Sequence, residues 1–317
     1  MKKYINSGNN DTRSGFGVGL HELGKTNDKV IAMTADLKGS LKMDAFAKDF
    51  PERYIQCGIA EANMVGTAAG LAITGKIPFV GSFAEFVTGR VYDQVRQAVA
   101  YGDTNVKIAA SHAGVTLGED GATHQTMEDI ALMRALPNMV VINPCDFNQT
   151  RAATIAAAEH VGPVYLRFGR PSVPNFTDPE QKFEIGKAVH LLEGRDVTIF
   201  ATGHLVWEAL EAASVLEAEG VSVEVINIAT LKPLDVDAVV ASAKKTGAVV
   251  CAEEHNVCGG LGELIAGVLA TKAPTPIEFV NGGDKFGQSG TPAVLMKAYG
   301  LDAEHIVAAA KRVLARK

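Results

Sequence analysis

Two short stretches concentrate the side chains able to do acid–base chemistry. LGEDGATHQ, residues 117–125, holds Glu119, Asp120 and His124 among small residues, and CGIAEANMVG, residues 57–66, places Glu61 just ahead of an apolar helical pattern. Taken alone, a loop this rich in Gly and acid reads as a solvated turn. Glu61, among Ile59, Met64 and Val65, reads as a semi-buried acid able to share a proton with a ring nitrogen. The plainer alternative is a carboxylate at a helix N-terminus, which the macrodipole favours. Phe83 and Phe86 in SFAEF are spaced i, i+3 where a strand ends, which suits either core packing or a clamp on a flat ring. His112, after Ser111 at another strand end, reads as a satisfied structural residue when taken alone. With Asp120 and His124 it gives spacings of eight and four residues, which match no common metal signature, so no metal ligand is expected here.

The elements that would position these residues alternate between strand and helix. KVIAMTADL (29–37), IPFVGSF (77–83) and VKIAASHAG (106–114) read as strands, ANMVGTAAGLAI (62–73) as a packed helix, and HQTMEDIALMRAL (124–136) as a helix with Glu128 and Asp129 in its first turn. MVVINP, TRAATIAAAEH and PVYLRF continue the pattern. RPSVPNFTDPEQKFEIG (170–186), with three prolines and no period, is the linker candidate. DVTIFATG, VWEALEAASVLEAEG, VSVEVINIA, AVVCAEE, GELIAGVLA and AEHIVAAAKRVLAR then restart the alternation. The expected fold is α/β with two domains, each a mostly parallel sheet flanked by helices: residues 1–172, a linker at 173–190, and residues 191–317. In such sheets ligands bind beyond the carboxyl ends of the strands, where Asp36, Phe83, His112, Arg167 and Arg170 all fall.

Composition narrows the classes. With 317 residues, 47% hydrophobic and 21% charged, the chain has apolar material for two cores. A net charge of −6 offers no global basic field for nucleic acid or an anionic membrane. No signal-peptide core and no 20-residue apolar run is present, so the expectation is a cytoplasmic protein with no membrane partner. The four cysteines show no CxxC pair and read as free thiols. GFGVG (15–19) and CGGLGE (258–263) are incomplete as dinucleotide fingerprints, and no P-loop or GxSxG elbow occurs.

Taken in order along nearly the whole chain, the segments GIAEANMVGTAAGLA, LGEDGATHQTMEDIALMRALPNM, EEHNVCGGLGE and FGQSGTPAVLMKAYGL resemble the C-terminal part of transketolase, a thiamine diphosphate enzyme. The second is the most specific, close to the family's GEDGPTHQPxE. The resemblance implies a pyrimidine-binding domain followed by the transketolase C-terminal domain. It implies that Glu61 hydrogen-bonds the aminopyrimidine and promotes the tautomer that takes the proton from thiazolium C2, and that Phe83 and Phe86 pack against that ring. The next aromatic of the family falls at Gly89, leaving Tyr92 as the nearest ring. His124 and Asp120 match residues that contact the sugar's hydroxyl and carbonyl oxygens. Arg13, Ser40, His112 and Arg170 match a phosphate-binding set, with Arg167 as a rival for Arg170. The arginine that precedes the glutamate in many transketolases is Ala60.

The family's GDG motif, which holds the diphosphate and Mg²⁺, does not occur in these 317 residues. The resemblance therefore implies the C-terminal subunit of a split transketolase of the pentose phosphate pathway. An N-terminal partner subunit would carry the diphosphate and Mg²⁺ site, and the assembly would be an α2β2 heterotetramer acting on sugar phosphates. The enzymatic alternatives are the β subunit of a 2-oxo acid dehydrogenase and a 1-deoxyxylulose-5-phosphate-synthase-like enzyme. A non-catalytic module is the alternative of another class.

Overall fold

The computed structural model describes residues 4–317. Its strands are β1 (Asn9–Asp11), β2 (Val30–Thr34), β3 (Tyr54–Gln56), β4 (Ile77–Phe83), β5 (Lys107–Ser111), β6 (Val140–Ile142), β7 (Val164–Arg167), β8 (Ser172–Pro174), β9 (Val189–Leu192), β10 (Val197–Ala201), β11 (Val223–Asn227), β12 (Thr230–Lys232), β13 (Val249–Ala252) and β14 (Ile277–Val280). They form a seven-stranded sheet in the order β12-β6-β7-β5-β4-β2-β3, a five-stranded sheet in the order β14-β13-β10-β11-β9, and the antiparallel pair β1–β8. All neighbours in the two large sheets run parallel except β12 against β6 and β9 against β11. The two-domain α/β architecture read from the sequence is the one observed.

Continuous apolar runs explain the central strands. Every residue of IPFVGSF in β4 is buried, as befits a parallel strand covered on both faces. Helix Glu61–Ile73 buries Glu61, Met64, Val65, Ala68 and Ala69, a stripe at i, i+3, i+4, i+7 and i+8 that packs on the sheet. This stripe seats Glu61 inward at the first turn, while Ile59 remains outside at 78% exposure. GFGVG lies within helix Thr12–Thr26, where its glycines serve packing. A Cβ on Gly15 would stand 2.3 Å from the Phe147 carbonyl oxygen of helix Phe147–Glu159.

The two domains are joined more tightly than their sequence separation implies. β12, from within the second α/β unit, crosses over to cover the edge of β6 in the first sheet. One apolar cluster runs through both, from Ile130, Met133 and Leu136 to Phe200, Ile226, Val249 and Leu261. The linker is pinned rather than loose. Buried Asp146 caps helix Phe147–Glu159 through Gln149 N–H and also accepts the Phe176 and Thr177 N–H groups. Among the described residues no helix is long and apolar enough to cross a membrane.

Candidate active site

The carboxyl ends of β4, β5 and β7 bring one group of residues together. Glu61 is 4% exposed, and its carboxylate accepts from the Ser82 hydroxyl at 3.5 Å and from Arg90 Nη1 at 3.2 Å to each oxygen. Phe83 closes β4, and Phe86 follows in the short helix Ala84–Val87. Their rings lie nearly parallel, 13° apart in plane with centroids 5.7 Å apart. His124 meets both rings edge-on, at 5.4 Å from Phe86 and 6.3 Å from Phe83. Arg90, which lies over Phe86, links the Glu61 carboxylate to the ring pair that His124 meets.

His112 follows β5 with φ +59°, a left-handed turn that lays its ring on Phe83 at 3.8 Å. Arg13 Nη1 lies 3.4 Å from His112 Nε2, and Ser111 Oγ lies 2.7 Å from Nδ1. Because a guanidinium can only donate, Nε2 accepts and Nδ1–H donates to Ser111. Burial, and then the charges of Arg13, Arg170 and Lys42, push His112 down to about 3, so its imidazole is neutral at pH 7. Arg13 Nη1 also donates to the Ser40 carbonyl at 3.2 Å. Arg13, Ser40 and His112 form one polar group, and Arg170 contributes to the same positive field.

The two candidate arginines after β7 separate cleanly. Arg167 is 3% exposed and clamps the fully buried Asp129 at 2.7 Å, while Tyr165 donates its hydroxyl to the same carboxylate at 2.5 Å. Burial alone would raise the Asp129 carboxyl, but the Arg167 charge and these hydrogen bonds hold it below its usual value. Arg170 instead reaches the surface and donates to Glu119 and to the Leu117 carbonyl, each at 2.7 Å. Glu119 is the ion-pair partner of Arg170.

The loop 117–125 differs from the sequence expectation in one respect. The helix begins at Asp129, not at His124. Gly118 and Gly121 hold φ +100° and +77°, and a Cβ on Gly121 would stand 2.5 Å from Ser289 Oγ. Gln125 Nε2 donates to the Val115, Gly118 and Gln288 carbonyls, each at 3.0 Å, locking the segment as a turn against the second domain. Asp120 is exposed on this turn, and His124 is half-buried, with its Nδ1 3.0 Å from Thr123 Oγ1.

Arg90 and Glu253 escaped the sequence reading. Arg90 lies over Phe86 at 3.9 Å and pairs with Glu61, and its position four residues after Phe86 was the only signal available. Tyr92, the nearest ring to Gly89, does not join the aromatic pair, because its hydroxyl donates to the Leu132 carbonyl at 3.2 Å. Glu253 closes the second glycine-rich candidate. It accepts the Gly262 N–H at 2.8 Å together with the Leu261 N–H at the start of helix Leu261–Lys272, so the protein's own carboxylate occupies that anion site. Among the described residues, the metal-type groups close enough to share an ion are His190, Glu193 and Glu224, at the β9–β11 edge of the second sheet, with Lys245 paired to both glutamates.

Residues 9–175 match the family described as "Transketolase, pyrimidine binding domain", and residues 186–306 match "Transketolase, C-terminal domain". The chain belongs to the transketolase family. It is 46% identical over 305 residues to a protein of Methanocaldococcus jannaschii named a transketolase C-terminal section, covering 95% of each chain. It is 45% identical over 298 residues to a 6-deoxy-6-sulfo-D-fructose transketolase subunit from a Clostridium species, covering 94% of this chain and 92% of that one. Among solved structures, "Split gene transketolase, inactive beta4 tetramer" superposes with a TM-score of 0.90 at 48% identity, covering 97% of this chain and 99% of that one.

Proposed function

We propose that this transketolase-family chain is the C-terminal subunit of a split, thiamine-diphosphate-dependent transketolase. With an N-terminal partner it would transfer a two-carbon ketol unit from a ketose phosphate to an aldose phosphate. The observation that carries the reading is the buried Glu61 carboxylate beside Phe83 and Phe86, at the rim of the Arg13–His112 group. The side chains present fit an aminopyrimidine: an acid for a ring nitrogen, aromatic faces for the ring, and a planar guanidinium already seated between them. When bound, thiamine diphosphate supplies the carbanion chemistry.

Each residue of this chain then has a task. Glu61 holds the pyrimidine ring nitrogen and manages its proton, while Phe83 and Phe86 orient the ring and exclude water. His124 and Asp120 contact the sugar oxygens, with His124 moving a proton between them. Arg13, Ser40, His112 and Arg170 receive the anionic end of the sugar, with His112 as a neutral hydrogen-bonding imidazole. The diphosphate and Mg²⁺ ligands are assigned to the partner subunit, because the sequence contains no GDG. We place the domains at residues 1–172 and 191–317 with a linker at 173–190, the assembly as α2β2, and the protein in the cytoplasm.

The test is reconstitution with the GDG-bearing subunit, thiamine diphosphate and Mg²⁺, using xylulose 5-phosphate and ribose 5-phosphate. Ketol transfer abolished by Glu61→Ala is the expected result. Turnover unaffected by that substitution refutes the assignment, and oxidative decarboxylation of a 2-oxo acid by the pair makes it a dehydrogenase β subunit. The relative named for a sulfonated fructose favours including sugars with other anionic termini among the substrates assayed.

A further inference from the structure

Arg90 does something at this site that the acid and the two rings do not require. Its Nη1 bridges both oxygens of the Glu61 carboxylate at 3.2 Å, and its guanidinium carbon lies 3.9 Å from the centroid of Phe86. A planar, nitrogen-rich group, hydrogen-bonded to a buried carboxylate and lying over an aromatic face, has the same contacts an aminopyrimidine would need there. Both groups cannot hold them at once.

We propose that Arg90 is a displaceable stand-in for the aminopyrimidine. In the chain alone it shields the Glu61 carboxylate and lies over Phe86, and it must swing away for the cofactor ring to enter. The inference rests on the function proposed above. The local fold permits the movement. Arg90 sits on a turn between helix Ala84–Val87 and Tyr92, anchored by its own N–H to the Glu85 carbonyl at 3.3 Å. Its side chain is 48% exposed, so it can leave without opening the core. Glu61, at 4% exposed, stays where it is. Displacement gives up an ion pair and a cation–π contact, so Arg90 weakens cofactor binding by the amount those contacts stabilise the unloaded chain.

The test is calorimetric titration of thiamine diphosphate, with Mg²⁺, into the reconstituted pair carrying wild-type Glu61 and either Arg90, Arg90→Ala or Arg90→Met. The expected result is Kd roughly tenfold lower in both variants, equal to about 1.4 kcal/mol. The methionine variant keeps the side-chain bulk, so agreement between the two separates loss of the competing charge from local collapse. A Kd that is unchanged or higher in both variants overturns the inference while leaving the proposed function standing. Failure of the wild-type pair to bind the cofactor at all overturns both. A crystal structure of the loaded pair supplies the second readout: Arg90 beyond hydrogen-bond distance of Glu61 is expected, and an Arg90–Glu61 contact persisting beside the bound ring refutes displacement.

Discussion

Arg167 and Arg170 lie three residues apart, yet the structure requires opposite consequences from replacing them. In Arg167→Met the buried Asp129 carboxylate keeps the Tyr165 hydroxyl but loses its ion pair with Arg167. Breaking one side of a buried pair costs about 3–5 kcal/mol, because the remaining charge is uncompensated. Against a typical domain stability of about 5–15 kcal/mol, that is about a fifth or more of the total. The pH dependence follows from the same contact. In the wild type the depressed Asp129 carboxyl adds stability that is present above its unfolded value near 3.9 and is lost as pH falls through its lower folded value. Without Arg167, burial raises that carboxyl, so the variant is least stable relative to wild type near pH 7 and closer to it near pH 4. Urea unfolding midpoints at the two pH values measure this, and Asp129→Leu combined with Arg167→Met is expected to recover most of the loss. Arg170→Met, which breaks an exposed pair with Glu119, is expected to cost under about 1 kcal/mol and to act on the KM for the sugar phosphate. An Arg167→Met protein within about 1 kcal/mol of wild type at pH 7 refutes the reasoning.

Three further outcomes are expected. Glu61→Gln in the reconstituted pair lowers turnover by roughly 10²–10⁴-fold if the residue manages a proton at the cofactor ring, as steady-state kinetics will show. His112→Asn, which suits the left-handed backbone, flattens the acid limb of the stability curve. Wild-type His112 is held to about 3, so the unfolded chain takes up its proton first and stability falls as pH drops from about 6.5 toward 3. Thermal denaturation between those limits checks the slope. Gly15→Ala forces a Cβ to within 2.3 Å of the Phe147 carbonyl oxygen and is expected to destabilise by about 1–3 kcal/mol, read from a shift in the urea midpoint.

The resemblance to transketolase named Glu61, Phe83, Phe86, Arg13, His112 and His124 as a group; what the amino-acid sequence by itself determined was the alternation of strand and helix, the two-domain build, and the fall of Phe83 and His112 at strand ends. These follow from local periodicity and from the rule that parallel strands gather their carboxyl ends on one edge, which residue types and spacing are enough to express. Tertiary structure alone decided what depends on partners distant in sequence. It assigned Arg167 to Asp129 and left Arg170 at the surface, since two arginines in one LRFGR string look alike until one of them meets a buried carboxylate. It delayed the helix after the opening loop to Asp129, because Gln125 spends its amide on three carbonyls, one of them 163 residues away. It sent β12 across to the other domain's sheet, where β6 offered an unpaired edge. It also put Arg90 on Glu61: a pair 29 residues apart, separated by helix Glu61–Ile73, β4 and helix Ala84–Val87, leaves no periodic trace in the chain and exists only because the fold brings the start of that first helix against the turn after the second.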